Sequence, residues 1–118
     1  MIRQGEIYLA DFGERYSSQF GKRRPALVVQ NDFFNRAIDD GYYRQVLVAP
    51  LSTKPIEDDY RIPIKKRQRL ERDSYIVTNW LCTLDLEQID TDTGPIASLT
   101  DEEFERVRQR ICEVVQIW

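Results

Sequence analysis

The most informative residue of this chain is Arg24, which precedes Pro25 and a short apolar run over residues 26–29. Such a run is typical of a strand buried on both faces, and the proline fixes the backbone at its start. The strand would therefore hold the Arg24 guanidinium at one point on the surface. A guanidinium is a permanently charged, planar fork of donors that suits a phosphate group. The alternative is a solvated basic loop without a ligand.

Two hydroxyl residues, Ser52 and Thr53, follow a second apolar segment over residues 45–49, which we expect to form a strand that ends at Pro50. If this strand lies close to the one that follows Arg24, the hydroxyls and the guanidinium meet and can orient a phosphate. The alternative is that Ser52 and Thr53 end the strand as ordinary turn residues. The sequence therefore offers an arginine–hydroxyl pair as a candidate phosphate site.

Polar and aromatic side chains accompany this pair. Gln19 and Phe20 precede Arg24, while Asn79 and Trp80 lie at the end of a later strand pattern. Aromatic and cationic groups together suit single-stranded RNA, whose bases can stack on a ring. For Trp80 we favour a core or interface position, because tryptophans in strands usually occupy one.

The absence of histidine and the small number of cysteines limit the kinds of catalytic and metal site that this chain can form. The chain has no histidine and only two cysteines, Cys82 and Cys112, which excludes a histidine-containing zinc site or catalytic triad. We expect no metal or cofactor, and we expect both thiols to be buried and reduced.

The 118 residues fit a single domain, 1–118. With neither a membrane-helix pattern nor a signal-peptide segment, we expect a cytoplasmic protein that does not bind membranes.

The charges are distributed unevenly along the chain. The net charge is −3, but residues 15–72 carry a balance of +6 and the remaining residues a balance of −9. This polarity predicts one basic face that attracts a polyanion. The alternative is that the fold interleaves the segments and blurs the asymmetry.

The hydrophobic pattern predicts a mainly β protein that ends in a helix. Strand patterns cover residues 6–12, 26–30, 45–49, 61–64, 74–80 and 83–86, and a short helix over residues 32–38 is capped by Asn31 or Asp32. Thr100 and Glu103 form a capping box for the last helix. Its apolar residues recur every three or four positions, at Phe104, Val107, Ile111, Val114, Val115 and Trp118. We therefore expect an α+β fold in which this helix packs on a small, strongly bent antiparallel sheet or barrel.

Taken in order, these segments resemble the MazF/PemK family of toxins from toxin–antitoxin systems. The residues that carry the resemblance are 5–8, 21–32 with Asn35 beyond them, 48–52, 73–77 and 83–85. The resemblance implies an SH3-like barrel of the MazF/CcdB type, assembled as a homodimer. It also implies a metal-independent endoribonuclease that cuts single-stranded mRNA at short sequences. In that reaction the 2′-hydroxyl attacks the adjacent phosphate and leaves 2′,3′-cyclic phosphate and 5′-hydroxyl ends.

The same resemblance assigns the catalytic roles to Arg24 and Ser52. Arg24 would stabilise charge on the phosphoryl oxygens and protonate the leaving oxygen, although an arginine is a poor proton donor because its pKa is above ~12. Ser52 would hold the phosphate in line for attack. A cognate antitoxin would place an extended, partly acidic segment over the basic groove. The candidate RNA-binding residues are Gln19, Phe20, Lys22, Arg23, Thr53, Lys54 and Asn79.

The chain departs from the family pattern at three positions. Cys82 stands where an arginine is frequent, and Val77 and Asn79 stand where one branch has a catalytic arginine and aspartate. That branch also uses a loop histidine, so only the arginine–hydroxyl version of the site fits this chain. One alternative is a non-catalytic RNA- or protein-binding module of the same fold. A gyrase poison that acts through a C-terminal tryptophan is a second alternative, which we disfavour because Trp118 continues the apolar stripe.

Overall fold

Short strands contain more residues than the helices in the computed structural model, which describes residues 1–13, 23–56 and 58–116. The described strands are β1 (Glu6–Asp11), β2 (Arg23–Val28), β3 (Gln45–Ser52), β4 (Arg61–Ile64), β5 (Ser74–Val77), β6 (Cys82–Asp85) and β7 (Ala97–Ser98). Helix α1 (Asp32–Asp39) connects β2 to β3, a 3-10 turn (Leu86–Gln88) follows β6, and helix α2 (Asp101–Val115) follows β7.

Strand β3 is the centre of the sheet. The strands are antiparallel in the order β4-β5-β3-β2-β1-β7, and β6 also pairs with β3. The first half of β3 pairs with β6 and its last two residues pair with β5, while β2 lies along its other edge. Because one long strand changes partner part-way along, the sheet curls into a half-barrel. The predicted bent antiparallel sheet with a C-terminal helix is confirmed.

Alternating residues divide the core between two faces of the sheet. We call these the α1 face and the α2 face after the helix that packs on each. The buried residues of the α1 face cluster are Ile2, Tyr8, Ala10, Phe12, Ala26, Val28, Ile38, Val46, Val48, Leu84 and Ile89. Those of the α2 face cluster are Ile7, Leu27, Ala49, Leu51, Ile62, Ile64, Leu70, Ile76, Ala97 and Val107. Side chains along β2 and β3 alternate between the two faces, so the position of a polar residue in its strand shows on which face its side chain lies.

Helix α2 begins as the sequence predicts. The Thr100 side chain accepts from the Glu103 backbone N–H, and the Glu103 carboxylate accepts from the Thr100 backbone N–H, which completes the capping box. Val107 is fully buried against the sheet, whereas Val114 and Val115 are exposed. The apolar stripe therefore packs on the sheet only in its first turns, and Trp118 lies outside the described residues. No helix in the described part of the chain is long and apolar enough to cross a membrane.

The strand boundaries next to Arg24 and Ser52 differ from the prediction. Strand β2 begins at Arg23, so Arg24 and Pro25 lie inside the strand, paired with Ala10 and Leu9 of β1. Strand β3 continues through Pro50 to Ser52. Pro50 lies between the part of β3 that pairs with β6 and the part that pairs with β5, so its missing N–H breaks neither ladder. The consequence is that Arg24 and Ser52 are strand residues with a fixed orientation.

The two cysteines and Trp80 are more exposed than we expected. Cys82 and Cys112 are not joined in a disulfide, and both are half-buried rather than buried. The strand predicted over residues 74–80 ends at Val77, because Thr78 and Asn79 form a turn before β6. Trp80 follows this turn with 38% of its surface exposed. The residue types at these positions favour a strand and give no sign of the turn. Because the chain turns here, Trp80 does not lie in the core.

Candidate active site

Arg24 and Ser52 lie on neighbouring strands at the centre of the sheet. The last registered pair between β2 and β3 is Ala26 with Pro50. Continued by two residues, the antiparallel register places Arg24 opposite Ser52. Both then share the α1 face with Ala26, because side chains two residues apart on a strand lie on the same face. The register therefore puts the two residues that the sequence predicts as a phosphate site on neighbouring strands and on one face of the sheet.

The Arg24 guanidinium is held in a partly desolvated position. The residue is half-buried, and its backbone is fixed by pairing with Ala10 of β1. Burial lowers the pKa of the Arg24 guanidinium from its ordinary value. Because the ordinary pKa is above ~12, the group keeps its charge at neutral pH. A charge in such surroundings acts on a bound anion more strongly than one in bulk water.

Ser52 has a buried hydroxyl at the end of β3. Its side chain is 3% exposed, and its Oγ accepts a hydrogen bond of 3.2 Å from the Lys54 backbone N–H. A hydroxyl that accepts in this way still has its own O–H to donate. The bond also turns the chain sharply after Ser52, which leaves Thr53 and Lys54 exposed beside the site. Their position is compatible with contacts to a ligand over Ser52.

Arg23 faces a different environment from Arg24. Its Nη2 lies 3.8 Å from Asp90 Oδ2, and it pairs across the sheet with Asp11. Hydrogen bonds from Thr93 and, more weakly, the charge of Arg23 hold the pKa of Asp90 below its usual range. Asp11, Arg23 and Asp90 line a polar cavity of about 570 Å³. The carboxylates therefore balance part of the Arg23 charge, which the sequence analysis assigned to RNA.

The remaining candidates divide between exposed turns and undescribed residues. Asn79 is exposed in the turn between β5 and β6, next to Trp80. Gln19, Phe20 and Lys22 lie outside the described residues. One neighbour of the site has no role in the sequence analysis: Tyr75 of β5 pairs directly with Ser52. The sequence predicts that Tyr75 lies on a strand, but it does not predict which residue of another strand lies opposite it, because that depends on the register between distant segments.

This arrangement suits a phosphate of a nucleic acid backbone. A fixed cation and a hydroxyl donor on adjacent strands can bind two oxygens of one phosphate from the same side. The sequence matches the PemK-like, MazF-like toxins of type II toxin–antitoxin systems over residues 3–115. The chain belongs to this toxin family.

Known members of the family agree with this assignment. The toxin is 33% identical over 115 residues to endoribonuclease EndoA of Bacillus subtilis (strain 168), a match that covers 94% of this chain and 91% of EndoA. The family resemblance that the motifs predict is therefore confirmed.

Solved structures confirm the fold. A mycobacterial endoribonuclease, solved in complex with its cognate antitoxin, superposes with a TM-score of 0.78 at 15% identity, covering 100% of this chain and 98% of that one. MazF from Deinococcus radiodurans gives a TM-score of 0.77 at 14% identity, covering 98% of this chain and 97% of that one. The MazF-like architecture of the sheet and the C-terminal helix is thus shared along the whole length.

Proposed function

We propose that this toxin is an endoribonuclease that cleaves single-stranded RNA without a metal ion, with Arg24 and Ser52 as its catalytic residues. The observation that carries the proposal is their shared position on the α1 face, one on each of two adjacent central strands. The similarity to EndoA, an endoribonuclease, supports the reaction class. The products would be a 2′,3′-cyclic phosphate and a 5′-hydroxyl.

Each residue has a defined role in this reaction. When the 2′-oxygen attacks, negative charge builds on the non-bridging oxygens of the phosphate. The Arg24 guanidinium stabilises that charge from a position already fixed by β1 and β2, so little reorganisation is needed during the reaction. Ser52 donates its O–H to one of the same oxygens and holds the phosphorus in line between the 2′- and 5′-oxygens. Arg23, Lys54 and their neighbours bind the flanking nucleotides.

The toxin would act in the cytoplasm as a single-domain subunit of a homodimer. Its partner would be a cognate antitoxin, as in the mycobacterial complex, with an extended acidic segment that covers the basic groove. Competition between this segment and RNA would keep the toxin inactive until the antitoxin is removed.

Incubation of the purified toxin with a long, defined RNA in EDTA tests the function. We expect discrete fragments with 2′,3′-cyclic phosphate ends. Arg24→Ala should lower the cleavage rate about 100- to 1,000-fold, as does loss of a donor to a developing oxyanion. Ser52→Ala should lower it roughly 10- to 100-fold, since one hydrogen bond to a charged group is lost.

Two exposed residues give matched controls. Arg108, an exposed residue of α2 that pairs with Glu105, and Ser98, an exposed residue of β7, lie on elements other than the strands β2, β3 and β5. Arg108→Ala and Ser98→Ala should leave the rate unchanged. Binding of RNA without cleavage by the wild-type protein would refute the proposed activity and favour the RNA-binding alternative.

A further inference from the structure

The proposed cleavage needs a proton donor that neither Arg24 nor Ser52 supplies well. The 5′-oxygen leaves as an alkoxide unless it is protonated, and the chain contains no histidine to do this. An arginine is a poor acid because its pKa is above ~12. We therefore looked among the described residues around Ser52 for a side chain that can protonate the 5′-oxygen.

Tyr75 is the side chain that the sheet places directly beside Ser52. Strands β3 and β5 pair through Leu51 with Ile76 and through Ser52 with Tyr75. Leu51 and Ile76 are both buried in the α2 face cluster. The next pair must therefore lie on the opposite face, so Ser52 and Tyr75 share the α1 face with Arg24.

The three residues form a row across adjacent strands. Ser52 on β3 pairs with Tyr75 of β5 on one side, and the β2–β3 register, extended two residues beyond Ala26 and Pro50, puts Arg24 on the other. Adjacent strands lie about 4.8 Å apart, so a phosphate bound over Ser52 has the guanidinium and the phenol on opposite flanks. In-line displacement also places the attacking and leaving oxygens on opposite sides of the phosphorus. A donor on the flank away from Arg24 is thus well placed for one of these two oxygens.

The ends of the row contain no competing proton donor. The register continues from Arg24 to Ala10 of β1 and from Tyr75 to Pro63 of β4. Neither Ala10 nor Pro63 carries an exchangeable side-chain proton. Tyr75 is half-buried, so it is shielded in part and still open to a ligand. Phenols generally hold their proton at neutral pH and release it more readily than guanidinium groups.

We propose that Tyr75 is the general acid of the cleavage reaction, an inference that rests on the proposed endoribonuclease function. The 2′-oxygen forms its bond to phosphorus and loses its proton to water. The bond between phosphorus and the 5′-oxygen breaks, and the Tyr75 O–H delivers its proton to that oxygen. The resulting phenolate regains a proton from solvent, so the enzyme returns to its starting state.

A pair of RNA substrates tests this role through the leaving group. The first is a short single-stranded RNA that contains the mapped cleavage site. The second has sulfur in place of the 5′-bridging oxygen at that site, and a thiolate leaves without being protonated. On normal RNA, Tyr75→Phe should cleave roughly 100-fold more slowly than wild type, which is the usual range for loss of a general acid. On the sulfur substrate it should match wild type.

Three further variants separate this role from others. Arg24→Ala should remain slow on both substrates, because it stabilises the phosphoryl oxygens rather than the leaving group. Tyr42→Phe removes a hydroxyl from a tyrosine that is 87% exposed and should change neither rate. Tyr75→Leu removes the ring as well as the hydroxyl, and thermal unfolding of every variant checks that it folds.

Each other result has a definite meaning. If Tyr75→Phe is equally slow on both substrates, or as fast as wild type on normal RNA, Tyr75 is not the acid. A normal rate for Tyr75→Phe with a raised KM for Tyr75→Leu would make the ring a stacking surface for a base and would overturn the proposal. If the wild type cleaves neither substrate, the failure lies with the proposed function itself.

Discussion

Arg67 and Glu103 form a two-bond ion pair that ties the loop after β4 to the first turn of α2. Arg67 Nη2 donates to Glu103 Oε2 at 2.7 Å, and Nη1 donates to Oε1. The two side chains are only 21% and 16% exposed. Hydrogen bonding to Arg67 holds the pKa of Glu103 at about 2, against an ordinary value of 4.5. The folded state therefore favours the ionised carboxylate, and folding stability must depend on pH.

Glu103→Gln should reduce the free energy of unfolding at pH 7 by roughly 1–2 kcal/mol, because the charge is lost from a partly buried pair. Glutamine at this position retains the capping-box bond to Thr100, so the variant isolates the charge. The pKa is lower in the folded state, so the stabilisation is complete above about pH 4.5 and disappears as the pH falls towards 2. Denaturant unfolding at pH 7 and pH 3 should show a smaller difference at pH 3.

Glu105→Gln provides the control for this measurement. Glu105 pairs with Arg108 on the same helix, but both side chains are more than half exposed. The substitution changes the net charge equally and should alter stability by only a few tenths of a kcal/mol. An equal loss for Glu103→Gln at both pH values would show that the ion pair is not the cause.

Among the site residues, those whose role depends on local sequence could be predicted and those whose role depends on strand register could not. Arg24 and Ser52 are recognisable because each is a polar residue next to an apolar strand. Tyr75 lies directly opposite Ser52, but only the pairing of β3 with β5 shows it. The contact of Arg23 with Asp90 likewise joins segments far apart in the chain. A one-residue change in register would move any of these side chains to the other face.

At the scale of elements, helix α1 is attached to the sheet by a buried network of amide groups. Asn35 is 1% exposed and donates to the Gln30 carbonyl at 2.9 Å and to Asp32 Oδ1 at 3.0 Å. Gln30 donates in turn to Asn35 Oδ1 and to the Gln45 carbonyl, and it accepts from the Leu47 N–H. The network therefore joins the end of β2, the start of α1 and the start of β3.

Asn35→Leu should destabilise the toxin by roughly 2–3 kcal/mol, because the buried Gln30 loses both of its hydrogen bonds with the Asn35 side chain. Arg36→Gln, on the exposed side of the same helix, is the matched control and should have little effect. Chemical denaturation measures both. RNA cleavage by folded Asn35→Leu should stay close to wild type. Arg24 lies at the start of β2, whereas α1 follows the other end of this strand. A stability equal to that of the wild type would show that the network is not needed to hold α1.

The elements that the sequence predicts best are those with a strong local signal. Asn31, one of the two residues predicted to cap α1, is its N-cap, and Thr100 caps α2 as the capping-box spacing predicts. The ends of strands are harder to predict, because residues with a high β propensity can continue beyond the point where the strand ends. The residue types allow a strand as far as Trp80, but the chain turns at Thr78, whose N–H and hydroxyl both bond to the Tyr60 carbonyl. Tertiary hydrogen bonds of this kind override local preference.

At the scale of the whole molecule, RNA binding must overcome a net charge of −3. The basic residues between positions 15 and 72 can attract RNA, but part of this charge is balanced inside the fold. Arg23 is an example, because Asp90 lies beside it while 57% of the Arg23 side chain remains exposed. The balance between the two sets of charges, rather than the number of cations, therefore determines RNA affinity.

Replacing Asp90 by asparagine should strengthen RNA binding, because Arg23 can then contact a phosphate without competition. Binding of a fluorescent RNA that has a 2′-deoxy sugar at the cleaved position, measured against salt concentration, tests this without cleavage. For single strands the slope of log K against log salt changes by about 0.7 for each phosphate contact. Asp90→Asn should steepen the slope by about that amount, and Arg23→Gln should make it shallower. Asp40→Asn makes the same change in net charge at an exposed position after α1 and should leave the slope unchanged. If Asp40→Asn and Asp90→Asn steepen it equally, the effect comes from overall charge and Arg23 has no specific part in holding RNA.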